Sequence, residues 1–341
     1  MMWGWFRQEN KQRIRVHHGY RDEIGGPFVK LERMNRYFPN YDKGYNLVYG
    51  VSGTNLPVRV LEQARKKRMP VVCHMNSCWH PAYADDYEDK NHHLKCLHNE
   101  YACYAVYGSQ QAMRGAERYL GKLKGAHQLI YNAVDTQHFK PGEKQDTSRP
   151  VILAAGLHQF RHRLEPLIEA MPLVAEKLNE PELVIAGKLV PGEGIFDCGE
   201  ETIRRIIERV GYERVRFIDA YTQSEAPEIY SQADVLVHLK HMDWTPNVVA
   251  EAMSCGVPVV HTGNGGTPEI VGDAGVSLEI EENWDQIISA DPESVAGAIV
   301  EAYESREALT ARARARAEEF FDLEDWIERH REIFESLVES A

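Results

Sequence analysis

The sequence has no long hydrophobic run, and this absence argues against a membrane-spanning protein. No apolar segment approaches the roughly 20 residues that a transmembrane helix requires. The first 16 residues, MMWGWFRQENKQRIRV, also lack the apolar core and the small-residue cleavage site of a secretory signal. We therefore expect a cytoplasmic location. With 341 residues, 43% of them hydrophobic and 27% charged, the chain is typical of a soluble globular protein with two domains.

Tightly spaced cysteine pairs, which mark zinc ribbons, are also missing. Four of the six cysteines lie between positions 73 and 103, among several histidines. Their spacing is loose, so we expect the reduced thiols of a cytosolic protein. A structural metal site in this cluster is the less favoured alternative.

An overall excess of positive charge is absent as well, since the net charge is −13. This argues against nonspecific nucleic-acid binding, which usually needs a dominant basic surface. The charge is uneven, however: residues 1–135 carry a net +7 and residues 136–341 a net −20. The basic half could face an anionic acceptor or an anionic membrane surface. Scattered solubilising charges are the plainer alternative.

Short apolar runs alternate with helical patterns along the whole chain, without internal repeats. The predicted strands are 14–17, 46–51, 70–74, 102–107, 151–155, 182–186, 215–218, 234–239 and 257–262. The predicted helices are 58–67, 164–177, 200–210, 226–232, 247–254 and 323–338. Such alternation is typical of parallel sheets with crossover helices. The polar segment FKPGEKQDTSRP, residues 139–150, predicts the boundary between two such domains.

Glycines follow three of the predicted strands in the second half. VILAAG ends at Gly156, LVIAG is followed by Lys188, and VVHTGNGG carries three glycines. Glycine lets backbone N–H groups approach a phosphate, and the helix that follows adds a partial positive charge. Three such loops in one domain indicate a phosphate-bearing ligand beyond the carboxyl ends of the strands.

The segment after the strand 234–239 places two carboxylates around the start of a helix. Asp243 precedes the helix and Glu251 lies within it, while Asn247 and Val248 offer free N–H groups. Both carboxylates could point into one cleft and accept hydrogen bonds from the hydroxyls of a sugar and a ribose. A helix-capping Asp with a surface Glu is the alternative.

Residues 215–271 include VRFIDAYTQSEAPEIYSQADVLVHL and DWTPNVVAEAMSCGVPVVHTGNGGTPEIV. They closely resemble the donor-binding region of the family-4 retaining glycosyltransferases. The resemblance extends to NAVDTQHFKP (132–141) and to VILAAG followed by IEA (168–170), and more faintly to IGGPFVKLERMNRYF (24–38) and PVVCHMNSCWHP (70–81). It implies an α/β protein of GT-B fold, with two Rossmann-like domains facing each other across a cleft.

The resemblance also implies a domain division. Residues 1–138 should form the acceptor domain and residues 139–320 the nucleotide-sugar donor domain. Residues 321–341 should form a helix that packs back on the first domain.

The resemblance assigns roles to named residues in both domains. Glu251 should accept from the nucleotide ribose, Asp243 should contact the transferred sugar, and the N–H groups of Asn247 and Val248 should meet the diphosphate or sugar. The glycine loop of the first domain, with Gly25 and Gly26, should approach the donor. His74 matches a histidine that faces the cleft, although a structural role for this histidine is an equal alternative.

The sequence departs from the family pattern after Gly156. The family has an Arg directly after this glycine and a Lys five places later, but this chain has Leu157 and His162 there. Arg161 and Arg163 flank the second position and could reach the same phosphates, or could lie on a solvated helix start. A second departure is an Asp at 243 where the family has Glu.

These features together predict a glycosyltransferase of the hexosyltransferase type (EC 2.4). It should move a sugar from a nucleotide diphosphate sugar to an acceptor hydroxyl with retention of configuration. We find no DxD motif at a fitting strand end and therefore expect neither a metal nor another cofactor. The acceptor could be a glycan, a lipid-linked or a small molecule, and peripheral contact with an anionic membrane is compatible with the basic first half. The alternatives are a noncatalytic nucleotide-sugar-binding or partner-binding GT-B protein and a sugar-nucleotide epimerase or hydrolase.

Overall fold

The computed structural model describes residues 13–21, 26–143 and 149–341, and it contains two parallel β-sheets that follow each other along the chain. The strands are β1 (Val16–His17), β2 (Leu47–Val51), β3 (Val71–Met75), β4 (Tyr104–Tyr107), β5 (Ala126–Leu129), β6 (Val151–Ala155), β7 (Glu182–Ala186), β8 (Val215–Ile218), β9 (Val235–His238), β10 (Val259–Thr262) and β11 (Gly275–Leu278). The first sheet has the order β1-β2-β3-β4-β5 and the second the order β11-β10-β9-β6-β7-β8. The α/β class predicted from the sequence is confirmed.

Helices connect most of the successive strands and cover the two sheets, and three more helices follow β11. They are α1 (Gly26–Tyr37), α2 (Val58–Lys66), α3 (Tyr87–Cys96), α4 (Gln110–Tyr119), α5 (Glu165–Ala175), α6 (Glu200–Val210), α7 (Ala226–Ser231), α8 (Asn247–Ser254), α9 (Thr267–Val271), α10 (Pro292–Glu304), α11 (Arg306–Phe320) and α12 (Leu323–Glu339). The ends follow ordinary capping rules: Asp291 accepts from the Ser294 N–H at the start of α10, and Gly211 ends α6 in the left-handed conformation.

Each sheet separates two layers of apolar core. Strand β6, for example, is buried along its whole length, because its alternate side chains pack on opposite faces of the sheet. We call the part of the structure around β1–β5 the first half and the part around β6–β11 the second half. The last helix, α12, packs on the first half, where Trp326, Ile327 and Phe334 share a core with Leu31 and Val51. Burial of each such side chain contributes about 1.5–3 kcal/mol.

The two halves are packed against each other along one side. Trp244, from the second half, inserts into the core of the first half and lies where a side chain on Gly115 of α4 would be, since a Cβ there would approach the ring to 2.4 Å. Glu269 of α9 accepts from the N–H groups of Gln110 and Gln111, at 2.9 and 3.1 Å, at the start of α4. These contacts fix how the carboxyl ends of the second sheet face the first half.

None of the helices in the described part of the chain combines the length and the apolar character that crossing a membrane requires.

Candidate functional site

Three loops at the carboxyl edge of the second sheet meet around the start of α8. They follow β6, β9 and β10, which are neighbours in the sheet. Gly156, after β6, has φ +107° and lies so close to α8 that a Cβ would be 3.0 Å from Val248. Gly265, after β10, has φ +75° and packs on the backbone of Asp243, where a Cβ would be 2.5 Å from the carbonyl oxygen. Glycine is favoured at both positions, because L residues rarely adopt these angles, and at Gly265 a Cβ would also collide with the Asp243 backbone.

The N-termini of α1 and α8, from opposite halves, converge at this point. Gly26 is the first residue of α1, and a Cβ on it would lie 3.6 Å from the side-chain nitrogen Nδ2 of Asn247, the first residue of α8. Asn132 fixes the Asn247 side chain by donating to its Oδ1 at 2.8 Å. First-turn N–H groups have no partner within their helix and carry partial positive charge. The place where both helices begin is therefore suited to an anion. Gly25 lies outside the described residues.

Asp243 is held in place by three donors, from the end of β9 and from the loop that follows it. Its Oδ2 accepts from His238 Nε2 at 2.8 Å, and its Oδ1 accepts from Lys240 Nζ at 2.8 Å and from the Trp244 N–H at 2.9 Å. Burial alone would raise the pKa of this carboxyl, but the Lys240 charge and the His238 hydrogen bond hold that pKa well below its usual range. Asp243 is therefore a fixed carboxylate with a relative exposure of 8%.

Glu251 is also buried, and it forms an ion pair with Arg33 of the first half. Its Oε1 lies 3.3 Å from Arg33 of α1, and its Oε2 accepts from the Tyr230 hydroxyl at 3.2 Å. Arg33 also donates to Gln223 at 3.1 Å and to the Ala133 carbonyl. Burial raises the pKa of the Glu251 carboxyl, which the Arg33 charge opposes in part. The carboxylate expected to meet a ribose is thus linked to the first half.

The two arginines after Gly156 have different surroundings. Arg163 is buried beneath the loop, where its guanidinium donates to the Leu157 carbonyl at 2.6 Å and to the Ala155 carbonyl at 3.4 Å. Arg161 lies on the surface and pairs with Glu165 at 3.2 Å. Of the two, only Arg163 adds positive charge behind the loop.

The two positions where the family has its Arg and Lys carry no charge. The Leu157 side chain is exposed. His162 is buried and accepts from the His241 N–H at 3.3 Å, and burial lowers its pKa to about 3. Lys188, after β7, is exposed, and its carbonyl accepts from the His158 N–H at 2.9 Å.

His74 does not present a free ring to open space in this structure. It lies in β3 with no exposed surface, Lys30 Nζ is 2.7 Å from its Nε2, and its Nδ1 contacts the Tyr49 hydroxyl. Its ring stacks on His330 of α12 with the centroids 5.5 Å apart. Burial lowers the pKa of His74, and the Lys30 charge adds to the effect. The assignment of His74 to the cleft stays a prediction, and the contacts describe a structural network.

A cavity of about 440 Å³ lies between the two halves, and Lys240, which donates to Asp243, is part of its wall. Trp79, His80 and Tyr83 line it from the first half, and Phe160 and Lys240 line it from the second. The cavity and the converging helix starts together define the candidate site.

The cysteines and histidines between positions 73 and 103 do not gather into a metal site. Among residues 13–21, 26–143 and 149–341, no group of three or more His, Cys, Asp or Glu side chains has the arrangement to hold a metal ion. Cys73 and Cys78 are buried free thiols, and burial raises the pKa of both.

Sequence reasoning missed several residues of the site. Arg33 and Lys30 lie in the region of faint resemblance, and Gln223, His238 and Lys240 are supporting partners of the two carboxylates. His238 and Lys240 could have been suspected, because both stand within five residues of Asp243 along the chain.

Comparisons with known proteins agree with this geometry. Residues 149–305 match the family model described as "Glycosyl transferases group 1". Among solved structures, HepE of Anabaena in complex with UDP-glucose superposes with a TM-score of 0.75 at 17% identity, covering 94% of this chain and 99% of that one. Sucrose-phosphate synthase from Thermosynechococcus elongatus has a TM-score of 0.72 at 19% identity, covering 92% of this chain and 78% of that one. The predicted GT-B fold is confirmed.

The relatives found by sequence similarity match only part of this chain. N-acetyl-alpha-D-glucosaminyl L-malate synthase of Bacillus anthracis is 25% identical over 164 residues, which are 45% of this chain and 40% of the relative. O-antigen chain mannosyltransferase B of Escherichia coli is 30% identical over 125 residues, which are 36% of this chain and 30% of the relative. The matched regions thus span less than half the length of these relatives.

Proposed function

We propose that the protein transfers a sugar from a nucleotide diphosphate sugar to an acceptor hydroxyl, with retention of configuration. The observation that carries this proposal is the meeting of two helix N-termini, Gly26 of α1 and Asn247 of α8, beside the buried carboxylates Asp243 and Glu251. An anion-binding point flanked by two hydroxyl acceptors fits a diphosphate with a sugar at each end.

The family match supports a transferase over a noncatalytic binding protein, since it covers the segment that holds Asp243, Asn247 and Glu251. The structural neighbour HepE has been described in complex with UDP-glucose. This supports a nucleotide sugar as the donor.

In the proposed mechanism, charge develops on the departing diphosphate and the acceptor attacks the sugar on the same face. First-turn N–H groups of α1 and α8 stabilise this charge, because they are already oriented before the reaction begins. The buried Arg163 adds positive potential from behind the Gly156 loop. No step needs a metal ion in this scheme.

Asp243 would orient the transferred sugar through its hydroxyls, because its carboxylate is already fixed by His238 and Lys240. Glu251 would accept from the ribose. For this the ribose hydroxyls must replace Arg33 at Oε1 or join it, since Arg33 contacts this oxygen in the structure. Donor binding is thereby linked to the contact between the two halves.

We further propose a cytoplasmic enzyme that uses no nucleic acid and whose acceptor binds mainly to the first half. Exposed basic residues at positions 65–68, at the C-terminal end of α2, are the surface that would contact an anionic membrane. Sedimentation with anionic and with neutral liposomes tests this contact. Equal sedimentation with both would dismiss it.

The test of the proposed function is turnover of a panel of UDP-, GDP- and ADP-sugars by the purified protein, with a chelator present. We expect nucleotide release from one donor, stimulated by an acceptor, with the anomeric configuration retained in the product. Binding without release would favour the noncatalytic alternative. Conversion of the donor without an acceptor would favour an epimerase or hydrolase.

A further inference from the structure

The cavity between the halves carries features that the donor site does not use. Its volume of about 440 Å³ is within the roughly 300–1,000 Å³ of small-molecule sites. Asp243 is linked to its wall, because Lys240 lines the cavity and donates to Asp243 at 2.8 Å. A molecule in this cavity would therefore lie beside the sugar that we propose Asp243 to hold.

The walls of the cavity combine aromatic faces with cations. Trp79 retains a relative exposure of 43%, which is unusual for a tryptophan, and the Lys90 ammonium lies 5.6 Å from the centre of its ring. On the opposite wall the Lys240 ammonium lies 5.8 Å from the centre of the Phe160 ring. Flat aromatic faces bordered by polar groups suit ligands with an apolar face and a polar rim. A sugar ring has this character, since its C–H groups lie on the faces and its hydroxyls on the edge.

His80 supplies an unused hydrogen-bond acceptor in the wall. Its Nδ1 is 2.9 Å from the Trp284 carbonyl, and because a carbonyl only accepts, Nδ1 carries the proton. The neutral ring then leaves Nε2 as an acceptor, and this buried atom has no partner among the described residues. Burial lowers the pKa of His80 to about 4, which keeps the ring neutral at pH 7. His93 is another residue of the cavity wall. Its Nε2 atom is also buried and has no hydrogen-bond partner among the described residues.

An unpaired buried acceptor such as His80 Nε2 is costly, and a hydroxyl of a bound molecule would satisfy it. A phospholipid would instead need a phosphate site and a continuous apolar channel for its chains. The cavity wall interleaves Ser77, His80, Lys90 and Gln159 with the aromatic rings, so it offers no such channel among the residues that line it.

We propose that this cavity is the acceptor subsite and that it binds a carbohydrate, with one sugar ring packed on Trp79 and one hydroxyl donating to His80 Nε2. This inference rests on the proposed function for its meaning, since it names the class of acceptor. Trp79 is a binding residue here, and His80 selects for a hydroxyl donor.

The test uses saturation-transfer NMR with a panel of methyl glycosides of common hexoses and N-acetylhexosamines, and with dihexanoyl phosphatidylglycerol as the lipid probe. Trp79→Ala removes the ring, and Trp79→Phe keeps an aromatic face. His80→Asn keeps a donor to the Trp284 carbonyl but removes the Nε2 acceptor. Phe320→Ala is the matched control, because Phe320 has a similar exposure of 40% and lies outside the cavity.

We expect at least one glycoside to bind the wild type and to bind Trp79→Ala roughly three- to tenfold more weakly. His80→Asn should also weaken binding, whereas Trp79→Phe and Phe320→Ala should stay close to the wild type. The inference is overturned when no glycoside binds, when Trp79→Ala binds glycosides as the wild type does, or when only the phospholipid binds.

Thermal shifts with UDP, GDP and ADP are measured on the same samples. Nucleotide binding without glycoside binding would refute the acceptor subsite alone. Glycoside binding without nucleotide binding would refute the proposed function and leave the carbohydrate site standing.

Discussion

Replacement of Glu251 should destabilise the protein as well as alter its ligand binding. Glu251 is 2% exposed and its Oε1 lies 3.3 Å from Arg33, which is itself 7% exposed. Glu251→Gln keeps the shape of the side chain but leaves the Arg33 guanidinium buried without a counter-charge. Removal of one partner from a buried pair costs about 3–5 kcal/mol.

The structure places the cost of Glu251→Gln near the lower end of that range. Arg33 would keep hydrogen bonds to the Gln223 side chain and to the Ala133 carbonyl, which satisfy part of its donors. For a unit of roughly 150–250 residues, about 3 kcal/mol corresponds to a fall in Tm of about 6–12 °C. The assay is thermal unfolding at pH 7.

Replacement of the other partner of the ion pair, Arg33→Met, should lower the stability of the folded protein by less than Glu251→Gln does. A buried carboxyl can take up a proton, and burial already raises the pKa of Glu251, whereas an arginine stays charged. Loss of Arg33 raises this pKa further, so the folded protein would hold a proton that the unfolded chain releases. The cost of Arg33→Met should therefore be small at pH 5 and grow as the pH rises through the folded pKa of Glu251.

The double variant Arg33→Met with Glu251→Gln contains no unpaired charge at this site. Its loss of unfolding free energy should be about 1–3 kcal/mol smaller than the sum of the losses in the two single variants. A Tm of Glu251→Gln within about 1 °C of the wild type, or strict additivity in the double variant, would refute this reasoning. The double variant is also the fair background in which to measure nucleotide affinity, because a loss of binding there cannot be attributed to an uncompensated arginine.

Three further predictions concern separate parts of the structure. Asp243→Asn should lower turnover by about 10²-fold while nucleotide affinity, measured by calorimetry, stays within a few-fold of the wild type; equal turnover would remove Asp243 from the sugar site. Gly115→Ala should destabilise by about 1–3 kcal/mol in urea unfolding, because its Cβ would approach Trp244 to 2.4 Å, whereas Gly297→Ala in α10, which has open space, should stabilise by about 0.5–1 kcal/mol. Burial lowers the pKa of His158 to about 3, so its neutral form contributes stability that is complete above pH 6.5 and falls by about 1.4 kcal/mol per pH unit below it; His158→Gln should flatten the pH dependence of unfolding between pH 6.5 and 5, and an unchanged slope would contradict this.

The sequence predicted the second half more closely than the first. Strands β6, β7 and β8 and helices α6 and α8 have the predicted bounds, because each has a clear apolar pattern that is bounded by glycine, proline or polar residues. The strand β5 was missed, since AHQL is short and half exposed and lacks an apolar signal. β11, with the sequence GVSL, was missed for the same reason. A short edge strand is defined by its neighbour in the sheet more than by its own residues.

Pairings between distant positions could not be predicted from a local pattern. The Arg33–Glu251 contact joins residues 218 positions apart, and its existence depends on how the two halves pack. The burial of the His74 side chain could have been predicted more easily from the sequence. His74 lies in the strand VVCHM, which is buried at all five positions. Such a run is typical of a central parallel strand, whose side chains are covered on both faces.

The proposed donor site is tested most directly by hydrogen exchange of the backbone amides with and without UDP-, GDP- and ADP-sugars. We expect one donor to slow exchange at the start of α1, in the loop after Gly156 and in the first turn of α8 around Asn247. Binding of a donor that leaves these three segments unprotected, or that protects only segments away from the contact between the halves, would contradict the proposed site.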